Sequence, residues 1–316
     1  MVKKKILICG ATGFIGLNIL NKFLEIKDFE IHATFHKRKP IDLAGIKWHK
    51  INLLKKKDVD KVFLNKDIVI QCAATTSGMK DIIQKPYIHI TDNALMNSIM
   101  LRAAFENKVS HFIFFSCSLM YQNSKDPVKE LDFDSSKEIN SKYFPGAWNK
   151  IYFEKMCKFF STCGETKYTV IRNSNIYGPY DKFDLEKSHV FGATVTKVFM
   201  NKEKVIVWGT GKEKKDLLYI DDLANFIKMA ISKQREKFEL MNCGSGKLIS
   251  IKNLVEKIID HSGKNLDIEF DESKPTVNSF VSLNCDYAYK KIGWRAKVDI
   301  DEGIIKTLDW YSKHYL

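Results

Sequence analysis

One loop near the start of the chain limits its possible folds more than any other segment. The apolar run KKILIC leads into GATGFIG, residues 10–16, and apolar residues at helical spacing follow at once. In such a loop Gly10 allows a tight turn, Gly13 lets the backbone approach a pyrophosphate, and Gly16 permits close helix–strand packing. Free N–H groups at the helix start favour an anion. The loop therefore predicts dinucleotide binding, rather than a merely structural turn, at Gly10, Thr12, Gly13, Phe14, Ile15 and Gly16.

Short apolar runs and helical patterns then alternate as far as about residue 174. Strand-like runs include EIHATF, DIVIQCAA, HFIFFSCS and YTVIRN, and residues 147–162 have a helical pattern. This alternation predicts an α/β fold with a Rossmann-type doubly wound parallel sheet. Shorter segments rich in Gly, Pro and aromatic residues follow, and they predict a smaller C-terminal α/β region. We therefore expect a dinucleotide-binding domain at 1–174 and a mainly substrate-binding region at 175–316, some of whose segments return to the first domain.

Composition narrows the possible partners. The 316 residues carry 51 Lys and Arg against 38 Asp and Glu, a formal net charge of +13. The lysines are spread along the chain without an aromatic-interleaved basic module, so solvated faces are favoured over a nucleic-acid partner, and a basic surface attracts a phosphate-bearing substrate. No apolar run reaches the roughly 20 residues of a membrane span. Seven cysteines without a CxxC pair suggest neither a metal site nor disulfides, and a reducing cytoplasm is expected.

The end of the second predicted strand bears on the choice of dinucleotide. His36, Lys37 and Arg38 stand where an NAD-specific site would place an acidic residue for the ribose hydroxyls. A cationic cluster suits a 2′-phosphate instead. The sequence predicts a preference for NADP(H). The alternative is that the basic loop is only solvated and the site accepts NAD(H).

Several runs occur in an order that resembles a known family. They are GATGFIG, the CAA of Cys72, Ala73 and Ala74 at the end of the fourth strand, NIYGP from Asn175, VWGTG from Val207, and YIDDLA from Tyr219. Together they resemble the extended short-chain dehydrogenase/reductases, the NAD(P)-dependent epimerase/dehydratase family acting on nucleotide sugars. Within this family, NIYGPYDKFDLEKSHVFGA and VIVWGTG resemble the GDP-L-fucose synthase group. The resemblance covers nearly the whole chain.

The resemblance implies a nicotinamide cofactor in the first domain, with Asn52 and Leu53 beside its adenine. It also implies a nucleotide sugar between the domains, with GDP favoured, a role in making surface-polysaccharide precursors, and a homodimer formed through two helices per subunit. By analogy, Asn175 and Lys215 lie near the diphosphate or nucleoside and Trp208 near the base. Lys215 stands where relatives carry arginine, so the charge is kept but the bidentate fork is lost.

The catalytic pattern of the family, YxxxK, is broken in this chain. Residues four apart on a helix share a face, so the family's lysine lowers the pKa of a phenol that transfers a proton to or from the substrate carbonyl. Lys150 matches that lysine, but Gly146 stands where the tyrosine should be. The two YxxxK pairs that do occur, Tyr121–Lys125 and Tyr287–Lys291, fall elsewhere and are interpreted as coincidental.

The other catalytic positions are also altered. The usual Ser/Thr position is Cys117, although Ser116 and Ser118 flank it. The cysteine that the fucose synthase group uses for epimerisation is replaced by Leu119. Its partner histidine is matched by His189, which is an acid/base candidate or a hydrogen-bonded interdomain residue.

Three hypotheses remain open at this point. In the first, Tyr143, in the loop entering the helix, replaces the lost phenol. In the second, hydride chemistry proceeds without a phenol and uses Cys117, His189 or substrate-held water. In the third, redox chemistry is lost, and the protein is a non-redox epimerase or a nucleotide-sugar-binding protein.

Overall fold

Seven parallel strands form the central sheet of the computed structural model, which describes residues 3–75, 86–141, 143–185, 188–274 and 279–316. The strands are β1 (Lys4–Cys9), β2 (Phe29–Phe35), β3 (Ile46–Lys50), β4 (Ile68–Gln71), β5 (His111–Phe115), β6 (Lys167–Asn173) and β10 (Phe238–Cys243). Their order is β10-β6-β5-β4-β1-β2-β3. The last of them, β10, returns to this sheet from the C-terminal part of the chain. Glu186 and Lys187, part of a run quoted above, lie outside the described residues.

Nine helices accompany these strands within the described ranges. They are α1 (Phe14–Leu24), α2 (Lys56–Phe63), α3 (Pro86–Glu106), α4 (Phe144–Cys163), α5 (Val190–Met200), α6 (Ile220–Lys233), α7 (Ile251–Ser262), α8 (Asp286–Ile292) and α9 (Ile300–Tyr315). Two small sheets contain β7 (Asn175–Tyr177), β9 (Lys214–Tyr219) and β11 (Leu248–Ser250), and β8 (Lys204–Trp208) with β12 (Asp267–Asp271). None of the described helices is long and apolar enough to cross a membrane.

Alternate residues of β1 belong to different cores, because successive side chains of a strand point to opposite faces. Ile6 and Ile8 belong to a cluster with α1 and α6, whereas Leu7 and Cys9 belong to one with α2, α3 and α4. Both faces of the sheet are therefore covered, which explains why its strands are continuous apolar runs. The predicted Rossmann-type α/β fold is confirmed.

The helix predicted at 147–162 extends over Phe144–Cys163, with Pro145 in its first turn as predicted. Proline suits this position because the first N–H groups of a helix have no partner within the helix. Tyr143 is the N-cap residue, so its side chain leaves the backbone where the incoming loop meets α4.

The strand order fixes where ligands bind. From β1 the chain proceeds outward to β2 and β3, and then crosses to β4, β5 and β6 on the other side. Ligands of doubly wound folds bind at this switch point, beyond the carboxyl ends of the strands. A hydrogen bond of 2.8 Å from Asn18 Nδ2 to the carbonyl oxygen of Pro179 ties α1 to the segment after β7, across the same edge.

Candidate active site

A groove of about 330 Å³ lies at the carboxyl ends of β1, β2 and β4. It brings together most of the residues predicted to bind the dinucleotide: Gly10, Thr12, His36, Lys37, Asn52, Leu53, Ala73 and Ala74. Cys72 packs against the core instead, and burial raises the pKa of its thiol. Thr34, which the sequence analysis missed, also lines the groove and accepts a 3.0 Å hydrogen bond from Gly10 N at Oγ1.

The glycine loop is a cradle that side chains would fill. Gly10 has a φ of +70°, and a Cβ there would lie 2.7 Å from Ala73 Cα. A Cβ on Gly16 would lie 2.4 Å from the carbonyl oxygen of Gly10. Gly13 is the N-cap of α1, so the N–H groups of Phe14 and Ile15 begin the helix without partners inside it. These features fit a pyrophosphate held at the helix N-terminus.

Arg38 extends across the loop from the end of β2. Its Nη1 donates a 3.1 Å hydrogen bond to the carbonyl oxygen of Thr12, while His36 and Lys37 line the groove. All three side chains are exposed. A cationic surface therefore borders the groove at the position predicted from the sequence.

Lys150 lies where α4 passes the end of β5. Its Nζ donates a 2.6 Å hydrogen bond to the carbonyl oxygen of Phe115 and stands 4.9 Å from the centroid of the Phe114 ring. Desolvation lowers the pKa of the ammonium group, although Cys117 and Glu154 oppose that shift. The lysine is thus fixed beside the altered serine position.

The residue one turn before Lys150 leaves open space. Gly146 is exposed, and a Cβ built on it would meet no atom within 4 Å. Since positions four apart on a helix share a face, the backbone at Gly146 has room for the side chain that the YxxxK pattern would place there.

A polar cavity of about 190 Å³ adjoins this region. Ser118 and Tyr143 both line it, together with Asn175, Lys214 and Lys215. Desolvation raises the pKa of Tyr143, so its phenol is protonated at neutral pH.

The three residues at the altered serine position point in different directions. Ser116 is buried, and its hydroxyl donates a 2.5 Å hydrogen bond to Glu154 Oε1. Cys117 packs against a small apolar cluster that includes Ala147 and Ile151 of α4. Burial raises the pKa of its thiol despite the nearby Lys150. Ser118 alone of the three lines the polar cavity.

Both coincidental YxxxK tyrosines have structural partners. The hydroxyl of Tyr121 donates to Asn242 Oδ1 at 2.8 Å and accepts from Arg172 Nη1 at 2.9 Å. The hydroxyl of Tyr287 donates to Glu239 Oε2 at 2.6 Å, and Lys291 forms an ion pair with the same carboxylate. Both hydroxyls are thus held by structural contacts, although Tyr121 also lines the polar cavity. The interpretation that neither pair is catalytic stays a prediction.

A second, mostly apolar cavity of about 470 Å³ shares two wall residues, Tyr143 and Lys215, with the polar cavity. Trp208 lines it, with Lys197 Nζ 5.8 Å from the ring centroid. Desolvation lowers the pKa of Lys215. The pairing of β7 with β9 brings Asn175 opposite Leu217, which is two residues after Lys215 in the sequence.

His189 lies at the start of α5. It is the exposed N-cap of α5, and among the described residues its neighbours Ser188 and Val190 line the apolar cavity whereas His189 lines neither cavity. Its acid/base role therefore stays a prediction. Lys197 and Glu213, two further charged residues of the apolar cavity, had no signal in the linear sequence.

A doubly wound sheet with a glycine cradle at its switch point, and further cavities beyond its carboxyl edge, is the arrangement of dinucleotide-binding α/β enzymes. The chain belongs to the NAD dependent epimerase/dehydratase family, whose family model matches residues 6–244. The predicted family is confirmed, and with it an NAD(P)-dependent enzyme of the nucleotide-sugar epimerase/reductase type.

Similar proteins match nearly the whole chain. GDP-L-colitose synthase of Yersinia pseudotuberculosis is 28% identical over 314 residues, 97% of each chain. GDP-L-fucose synthase of Sinorhizobium fredii is 27% identical, over 97% of this chain and 95% of that protein. The fold of UDP-glucose 4-epimerase from Thermotoga maritima superposes with a TM-score of 0.86 at 22% identity, over 98% of this chain and 99% of the other.

Proposed function

We propose that the protein is an NADP-dependent reductase or epimerase of a GDP-linked 4-keto-6-deoxy sugar, used for surface-polysaccharide precursors. The observation that carries the proposal is the shared wall of Tyr143 and Lys215. One extended ligand can place its base beside Trp208, its diphosphate beside Lys215, and its sugar in the polar cavity next to Ser118. The names of the two curated relatives, both synthases of GDP-linked sugars, support guanine as the base.

The cationic border of the dinucleotide groove supports NADP over NAD. Arg38 is held at the mouth of the groove by its bond to Thr12, and Lys37 lines the wall. A guanidinium group forms paired hydrogen bonds with a phosphate, and an adjacent ammonium group adds charge. The bound nicotinamide supplies or accepts the hydride.

The protein's own groups would manage the proton and the orientation of the ligands. Lys150, fixed at the end of β5, would hold the nicotinamide ribose. Tyr143 stays protonated because desolvation raises its pKa, which is the state that an acid needs to protonate a carbonyl oxygen during reduction. Ser118 would donate a hydrogen bond to the same oxygen. Asn175 and Lys215 would hold the diphosphate between the two cavities.

The test is NADPH oxidation by the purified protein with a panel of 4-keto-6-deoxy nucleotide sugars, alongside calorimetric binding of NADP and GDP. We expect turnover with a GDP-linked member, reduced about 100-fold in a Lys150→Met variant. Tight binding of both ligands with no turnover across the panel would overturn the proposal in favour of a binding protein. Epimerised product without NADPH consumption would favour a non-redox epimerase.

A further inference from the structure

The apolar cavity contains an acidic residue whose carboxylate has an unmet hydrogen-bonding capacity. Glu213 lines the cavity, and its Oε2 is buried with no hydrogen-bond partner among the described residues. A buried acceptor left without a donor is destabilising. An unpaired buried acceptor requires an explanation, and a donor group on a ligand bound in this cavity would provide one.

The backbone around Glu213 is fixed by the turn after β8 and by a hydrogen bond to α7. Gly209 and Gly211 have φ values of +81° and +72° in the turn after β8, and a Cβ on Gly211 would lie 2.3 Å from the Phe270 ring. The carbonyl oxygen of Glu213 accepts a 2.8 Å hydrogen bond from Ile251 N, at the start of α7. That N–H is thereby used by the backbone and does not satisfy the carboxylate.

The rest of the cavity suits a flat heterocycle. Val207, Trp208 and Ile251 provide apolar and aromatic surface, and Lys215 carries charge at the junction with the polar cavity. Glu213 is close enough to Lys215 to raise the pKa of that lysine, against the larger effect of desolvation. The carboxylate and the ammonium group therefore both belong to this cavity.

A carboxylate has only acceptors, so it selects a base that presents donors. Guanine has two adjacent donors on one edge, N1–H and the exocyclic amino group. Uracil has one N–H between two carbonyl oxygens that a carboxylate repels, and adenine and cytosine place an acceptor nitrogen beside the amino group. We infer that Glu213 is the residue that recognises guanine in this cavity, an inference that rests on the proposed nucleotide-sugar function.

The experiment is calorimetric titration of the wild-type protein, Glu213→Gln and Glu213→Ala with GDP, IDP, XDP and UDP. IDP lacks the exocyclic amino group, and XDP replaces it with a carbonyl oxygen that a glutamine amide can pair with. Wild type should bind GDP about 10-fold or more tighter than IDP, as expected for a lost hydrogen bond to a charged group. Glu213→Ala should bring that ratio close to 1, and Glu213→Gln should shift the preference toward XDP.

The matched control is Glu203→Gln, which makes the same charge change at an exposed residue that does not line the cavity. It should leave every ratio unchanged, and circular dichroism checks that all variants are folded. If GDP binds and the ratios in both Glu213 variants equal those of wild type, the inference fails while the proposed function stands. If wild type prefers UDP, guanine recognition is overturned. If no nucleoside diphosphate binds, the proposed function fails as well.

Discussion

Lys150 donates its hydrogen bond to the carbonyl oxygen of Phe115 at 2.6 Å, at the last residue of β5. The chain continues from that strand end through Cys117 to Ser118 in the polar cavity. One contact therefore sets α4 against the segment that carries the altered catalytic positions, and it holds the lysine in place even though the tyrosine one turn earlier is missing.

Replacing Lys150 by Met should weaken NADPH binding roughly 10-fold and reduce turnover about 100-fold, because the ammonium group and its anchored geometry are lost together. Fluorescence titration of NADPH and initial rates measure the two effects. Lys155→Met, an exposed change on the same helix, is the control. Unchanged cofactor affinity in Lys150→Met would contradict the ribose-binding role.

Replacing Tyr143 by Phe removes the proposed acid and should cut turnover about 100-fold while leaving NADPH affinity unchanged. Because desolvation raises the pKa of this phenol, the protonated form persists as pH rises, and wild-type reduction should show no loss of acid function near neutral pH. A pH–rate profile and the exposed control Tyr152→Phe test this. A full rate in Tyr143→Phe would favour Cys117 or His189.

Placing tyrosine at position 146 restores the spacing to Lys150. A side chain there meets no atom at its Cβ, so Gly146→Tyr should fold normally. In the double variant with Tyr143→Phe, turnover should recover about 10-fold over Tyr143→Phe alone. Gly146→Ala, expected to stabilise the helix by up to about 1 kcal/mol without restoring turnover, separates helix stability from chemistry. A double variant as slow as Tyr143→Phe would rule out a functional phenol at this position.

Replacing Arg38 by Ala should raise the KM for NADPH about 10-fold or more and change the KM for NADH little, since only NADPH carries a phosphate for the guanidinium group. Lys39→Ala, at the exposed neighbouring residue, controls for the loss of one positive charge. Steady-state kinetics with both cofactors give the ratio. Equal effects on the two would show that Arg38 supports the loop rather than the 2′-phosphate.

Asp181 should make stability depend on pH. Its side chain is buried, and desolvation raises its pKa to about 7, whereas an unfolded aspartate titrates near about 3.9. Between these values the folded state keeps a proton that the unfolded state has lost, so stability is present at low pH and decreases as pH rises through about 7.

Asp181→Asn, which cannot ionise, should therefore raise Tm at pH 8 relative to wild type by several degrees, since each kcal/mol shifts the Tm of a sizeable domain by roughly 2–4 °C. At pH 5 the two proteins should melt much closer together. Thermal melts at both pH values measure this, with exposed Asp42→Asn as the control. A Tm difference that is the same at both pH values would argue against the buried acid.

The fold was predictable because the patterns that specify its strands and helices lie among residues close together in the sequence. Continuous apolar runs such as the one containing Ile6 and Leu7 predict strands covered on both faces, and Pro145 marks the first turn of α4. The glycine loop was predictable for the same reason, since Gly10 and Gly16 take their roles from immediate neighbours in the chain.

The cavities were less predictable, because they depend on contacts between distant segments. Lys150 was recognised by resemblance, but its partner Phe115 O lies 35 residues away. Thr34 meets Gly10 only because β2 pairs with β1. Glu213 is one of several charged residues in GKEKKD, and only the turn anchored to Ile251 distinguishes it from its exposed neighbours.

The wall shared by Tyr143 and Lys215 has a consequence for how a ligand would be held. Two adjoining cavities that share a wall can act as two weak sites for the two linked halves of one ligand. Once one half is bound, the other half is held near its own cavity at a high effective concentration. A free nucleotide or a free sugar alone should bind poorly compared with the two joined. Both halves would then contribute to retention, so a change at the sugar end would alter the affinity of the whole ligand.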